Sequence, residues 1–234
     1  MIKRFIILIF VFIPIKALAL IEVDITRGNL NPLPLAVSPL SIDETSRKNF
    51  EQILDKENIG SEISLIVENN LRTSGLFNPL DKKAFLQAPD IANLKPRFED
   101  WNLIKAQALI TGKVSYFDEK LRVEFRLWDV LAAKEMMALA FTTVPSNWRR
   151  VGHIITDKIY KRLTGEKGYF DTRIIYVAEE GPKTKRIKKL GIMDQDGFNT
   201  KYLTLGNELV LTPRFNPTNQ MVTYLSYFRN LPRV

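Results

Sequence analysis

The stretch Leu121-Arg122-Val123-Glu124-Phe125-Arg126-Leu127-Trp128 decides how the first part of the chain folds. Leu121, Val123, Phe125 and Leu127 alternate with Arg122, Glu124, Arg126 and Trp128. Successive side chains of a strand point to opposite faces, so this pattern predicts a strand with one buried face. Ala106 to Phe117 reads as its hairpin partner across Asp118-Glu119-Lys120, and Lys134 to Thr143 as a third strand.

Outward from these strands the period changes to that of a helix. Trp148, Val151, Ile155, Ile159 and Leu163 form one apolar stripe, opened by Ser146 or Asn147 and closed by Gly165. Upstream, Ile63, Val67 and Leu71 recur every four residues after Asn58 or Ser61, and Gly75 supplies a left-handed stop. Asp43 to Glu57 carries Phe50, Ile53 and Leu54 at helical spacing, and Phe98 to Lys105 reads as a short helix. Leu35-Ala36-Val37, bracketed by Pro32, Pro34 and Pro39, reads as a short strand. Clustered strands with interspersed helices predict an α+β domain, a mixed sheet with packed helices, ending near Gly165 to Gly168.

After Gly168 short strands are separated by turn clusters. Arg173 to Ala178, Ile187 to Met193 and Asn199 to Leu203 read as strands, with turns at Gly181-Pro182 and Asp194-Gln195-Asp196-Gly197. Ile174-Ile175-Tyr176-Val177-Ala178 is echoed by Val222-Thr223-Tyr224-Leu225-Ser226 at an offset of 48 residues. Short strands repeating at such a period indicate blades of a β-propeller.

The first residues read as an address. A basic head (Lys3, Arg4), an apolar run from Phe5 to Ile13 and Ala17-Leu18-Ala19 describe a secretory signal peptide cleaved after Ala19. The run is shorter than the ~20 residues a membrane span needs. Loss of Lys3, Arg4 and Lys16 lowers the net charge from +8 by three, to +5. Export turns this basic balance away from nucleic acid and toward an acidic protein or anionic surface. With 0 cysteines and 1 histidine among 234 residues, thiol nucleophiles, thiolate metal clusters and multi-histidine metal sites are excluded.

Three stretches resemble the TolB family of periplasmic Tol–Pal envelope proteins. They are Ile59-Gly60 through Leu71-Arg72-Thr73-Ser74-Gly75-Leu76-Phe77-Asn78-Pro79-Leu80-Asp81; Trp148-Arg149-Arg150-Val151-Gly152-His153 through Leu163-Thr164-Gly165-Glu166-Lys167-Gly168-Tyr169-Phe170-Asp171-Thr172-Arg173-Ile174; and Met193-Asp194-Gln195-Asp196-Gly197 with Thr212-Pro213-Arg214-Phe215-Asn216-Pro217. The first two are specific to the family, and the third is general to such propeller repeats. The resemblance implies a signal peptide over 1–19, a mobile N-terminal arm over 20–31, an N-terminal α/β domain over 32–168, and propeller over 169–234. It implies no catalysis and no cofactor; the residues themselves give no metal site. Its partners would be TolA, taken by the arm through Ile21, Glu22, Val23, Asp24 and Ile25, and Pal on the propeller. The role implied is in envelope integrity and cell division, on a soluble protein peripheral to membranes.

By its residues alone the segment 20–31 reads as an edge strand or a mobile arm, and the alternating Ile21, Val23 and Ile25 suit addition of such an arm as a strand to another surface. A six-bladed ring needs roughly 240–270 residues, whereas Phe170 to Val234 supplies 65, about one blade and the opening of the next. The chain therefore reads as a C-terminally truncated or split member with an incomplete β-propeller and most of the Pal-binding surface missing. The alternatives are a degenerate fragment without independent function and the propeller part of an exported peptidase.

Candidate sites elsewhere have plainer readings. His153 lies beside the apolar stripe of its helix and reads as structural or surface. Asp194-Gln195-Asp196-Gly197 begins like a calcium loop, but its twelfth position is Leu205 rather than Glu, so it reads as a hairpin turn. Lys183, Lys185, Arg186, Lys188 and Lys189 read as a solvated loop and strand face rather than a patch for anionic lipid or glycan.

Overall fold

The computed structural model describes residues 31–219, 221–229 and 231–234. The predicted signal peptide and Ile21 to Ile25 lie outside the described residues. None of the described helices is long and apolar enough to cross a membrane.

The N-terminal domain is built on a mixed six-stranded sheet. Its strands are β1 (Leu33–Val37), β2 (Ser41–Ile42), β3 (Phe77–Pro79), β4 (Ala108–Phe117), β5 (Lys120–Asp129) and β6 (Lys134–Thr143). The path runs β3-β1-β4-β5-β6, with β2 also paired to β4. The β1 pairings with β3 and β4 are parallel, whereas β4, β5 and β6 form an antiparallel meander. The connection from β4 to β5 is two residues, Asp118 and Glu119, both at positive φ (51° and 56°). That geometry matches the right-handed twist of a hairpin and fixes the register that the alternation predicted.

Among the described residues five α-helices cover the sheet: α1 (Glu44–Leu54), α2 (Ile59–Thr73), α3 (Pro89–Leu94), α4 (Phe98–Leu103) and α5 (Trp148–Thr164). Alternate strand residues divide between two cores. Leu35, Val37, Ala108, Ile110, Leu121, Val123, Phe125 and Leu127 face α1, α2 and α5, where they meet Phe50, Ile63, Val67, Leu71, Val151, Ile155, Ile159 and Leu163. Ala36 and Leu109 point the other way, onto Trp101, Ala92, Ala106 and Val130. Each fully buried large apolar side chain contributes about 1.5–3 kcal/mol. The second core is not visible in the sequence pattern, because Pro89–Leu94 carries too few apolar residues to show a period.

Polar groups at the seams are satisfied specifically. Between β1 and β2, Ser64 Oγ on α2 accepts the Leu40 N–H at 2.9 Å and lies 3.1 Å from the Ser38 carbonyl. Asp43 caps α1 by accepting from Ser46 N at 2.9 Å, while Ser46 Oγ accepts from Tyr116 N at 2.8 Å and ties the helix to β4.

The C-terminal part is two three-stranded sheets. The first holds β7 (Arg173–Glu180), β8 (Ile187–Asp194) and β9 (Lys201–Tyr202); the second holds β10 (Val210–Phe215), β11 (Val222–Phe228) and β12 (Leu231–Arg233). The echoed segments fall on β7 and β11, one in each sheet. β10 lies against β7 and β8, with Leu190 and Val210 fully buried. This is a partial propeller beside an α+β domain, as the sequence predicted.

The expected strand over Asn199 to Leu203 is corrected to the two residues Lys201–Tyr202. Asn199 adopts a positive φ of 53°, and the loop before it is held by the first domain instead of by the ladder.

Candidate functional site at the domain junction

Helix α5 forms the joint. Its apolar stripe enters the first core, which leaves Arg149, Arg150, His153 and Asp157 to meet the connector and the first propeller sheet. Asp157 accepts the N–H groups of Phe170 at 2.7 Å and Asp171 at 3.1 Å. Arg150 donates to Asp171 through Nε at 3.0 Å and Nη2 at 3.1 Å. Phe170 is completely buried in the core of the first domain, against Tyr160 at 5.7 Å between ring centres. The connector is thus fastened to the helix.

The second fastening is the turn after β8. Gly197 N donates to the Asp194 carbonyl at 3.0 Å, and Gly197 has φ +86°. This closes Asp194-Gln195-Asp196-Gly197 as a tight turn at the start of the β8–β9 connection. From it, Asp196 pairs with Arg149, whose guanidinium also stacks 4.1 Å from the Phe198 ring centre. Gln195 Nε2 donates to Asn70 Oδ1 at 3.0 Å, joining the turn to α2.

His153 sits at the centre of this joint, 2% exposed. Its Nδ1 lies 2.9 Å from Asn70 Nδ2, which also donates to Thr156 Oγ1 at 3.2 Å. With Asn70 donating, the neutral imidazole carries its proton on Nε2. That atom makes no hydrogen bond and lies 3.6 Å from Asp196 Oδ2. Burial pushes the His153 pKa below the ordinary histidine value, outweighing the pull of Asp196 and Asp194 in the opposite direction. Ligand atoms of His153, Asp194 and Asp196 all lie within 4.8 Å of one another. The Thr156 hydroxyl donates to the Gly152 carbonyl at 2.8 Å.

The basic run pairs across the first propeller hairpin: Lys188 with Glu179 at 2.7 Å and Lys189 with Glu180 at 2.8 Å. These pairs are solvent-accessible and worth little energetically. Sequence reasoning missed Asn70, Arg149 and Gln195. Only the Asp194 to Gly197 turn and the lone histidine were visible, as separate features.

The TolB amino-terminal domain matches residues 21–136, and the TolB beta propeller domain matches residues 160–234. The Tol-Pal system protein TolB of Pelagibacter ubique (strain HTCC1062) is 84% identical over 234 residues, all of this chain and 52% of that protein. The chain belongs to the TolB family. The TolB protein of Paramagnetospirillum magneticum (strain ATCC 700264 / AMB-1) is 48% identical over 222 residues, 94% of this chain and 47% of that one. The crystal structure of TolB from Acinetobacter baumannii superposes with a TM-score of 0.69 at 25% identity, covering 84% of this chain and 44% of that one. The chain spans about half the length of the curated TolB relatives it matches.

Proposed function

We propose that this TolB-family chain is a non-catalytic periplasmic interaction protein of the Tol–Pal envelope system, exported by a signal peptide over residues 1–19. The observation that carries this reading is 84% identity, along the whole chain, to a Tol-Pal system TolB protein. In this reading the arm over 20–31 takes TolA through Ile21, Glu22, Val23, Asp24 and Ile25, adding as a strand. The role is to couple inner-membrane Tol components to Pal in envelope integrity and cell division. Pal is the propeller-side partner.

Calorimetric titration of the chain with soluble TolA tests the arm. Deleting Leu20 to Arg27 is expected to weaken TolA binding while the melting temperature stays nearly unchanged. Unchanged affinity in the deletion removes the arm from the mechanism. Absence of TolA binding in the intact chain overturns the linking role. Absence of Pal binding removes Pal from the reading.

A further inference from the structure

We propose that His153, Asp194 and Asp196 form a site for a divalent transition-metal ion of the zinc class, clamping the first propeller sheet to α5. The inference stands on the geometry of the joint and does not depend on the envelope role.

The fixed element is the imidazole. His153 is 2% exposed and its Nε2 is buried without a hydrogen-bond partner. An orphaned buried polar atom is costly, and a ligand on Nε2 removes that cost. The adjustable elements are the carboxylates. Asp194 and Asp196 stand on a half-exposed turn, and their oxygens lie with the imidazole inside 4.8 Å. Side-chain rotation of about 1 Å draws such a set toward the ~2.0–2.2 Å of a Zn–N or Zn–O bond.

The donor set selects the ion. One imidazole and two carboxylates suit zinc and its neighbours, whereas calcium takes six to eight oxygens. Charge favours a cation: the carboxylates of Asp196, Asp194 and Asp171 act on the imidazole, against the guanidinium groups of Arg149, paired with Asp196, and Arg150, paired with Asp171. Metal on Nε2 requires the proton on Nδ1. Turning over the Asn70 and Gln195 amides supplies the acceptor, because Asn70 Oδ1 then faces Nδ1 and Gln195 Oε1 receives Asn70 Nδ2, while the Thr156 hydroxyl turns from the Gly152 carbonyl to donate to Asn70 Oδ1. These two amides are the outer partners that orient a metal-binding histidine. Arg149 is the competitor, since it holds Asp196 in the absence of metal.

The test is titration of the untagged full chain with Zn²⁺ by calorimetry and with Co²⁺ by visible absorption. One equivalent is expected to bind with a dissociation constant on the order of micromolar, raising the melting temperature by mass action. Asp194→Asn is expected to weaken binding about tenfold or more. His153→Gln is expected to abolish the Co²⁺ ligand-field band. Arg149→Gln, which removes the competing cation, is expected to tighten binding. The proposal is overturned if the intact chain binds no stoichiometric metal. It is overturned equally if Asp194→Asn and Asp196→Asn bind as tightly as the parent.

Discussion

The carboxylate of Asp157 on α5 accepts the backbone N–H of Phe170 at 2.7 Å, thirteen residues further along the chain. This bond positions the connector so that the Phe170 ring drops into the first domain's core at 0% exposure. The connector is therefore part of the domain it leaves. Phe170→Ala is expected to destabilise the N-terminal domain by about 3–5 kcal/mol, the usual loss for a buried phenylalanine. Asp157→Ala removes two bonds to a charged acceptor and is expected to cost about 2–4 kcal/mol. Urea denaturation of each variant measures both losses.

Gly60 lies under the chain between β1 and β2. A Cβ built there would stand 2.2 Å from the Leu40 carbonyl oxygen, a backbone atom that cannot swing aside. Gly60→Ala is expected to cost about 1–3 kcal/mol through forced separation of α2 from that segment. Thermal melts should show the loss. Unchanged stability in Gly60→Ala would mean that the two segments separate freely.

Gln87 is 4% exposed and serves the second core. Its Oε1 accepts from Trp101 Nε1 at 3.1 Å and from Arg97 N at 3.0 Å, while its Nε2 donates to the Lys95 carbonyl at 2.9 Å. Gln87→Leu keeps the volume and strands those partners. A loss of about 2–4 kcal/mol is expected, with a shifted tryptophan emission as the local report.

Asp43 gives a pH signature. The Ser46 N–H it accepts holds its carboxyl below the ordinary carboxylate value, with Ser46 Oγ and Lys113 acting in the same sense against the opposing effect of burial. A depressed folded pKa means that the native state binds this proton less readily than the unfolded chain. The stabilisation is therefore present above the unfolded carboxylate value of about 3.9 and is lost as pH falls through the lower folded value. The stability gap between the parent and Asp43→Ala should stay constant from pH 7 to pH 5 and shrink in stronger acid. Denaturant titrations across that range measure it.

Much of the first domain was legible because its signals are local. The alternation on β5 and the stripe on α5 each follow from one element's own repeat meeting one apolar face. The two-residue turn at Asp118 and Glu119 then fixed which residues stand opposite, Phe117 across from Lys120 and Ile110 across from Leu127. Helix α3 escaped the reading because its six residues are too few to display a period, whereas α4 was read as a short helix over Phe98 to Lys105 and ends at Leu103. The strand expected at Asn199 to Leu203 shrank because loop residues found partners in another domain, a competition invisible to local pattern.

By itself the sequence determined the α+β class, the order of the main strands and helices, and the change to propeller repeats after Gly168. Periodicity encodes these through contacts within an element or between neighbours along the chain. The joint was decided by tertiary structure alone. Asn70, His153 and Gln195 are separated by 83 and 42 residues, yet α2, α5 and the turn after β8 bring them into one hydrogen-bonded line. Burial between those elements deprives the imidazole of water and aims it at Asp196, and burial is a property of the packed whole.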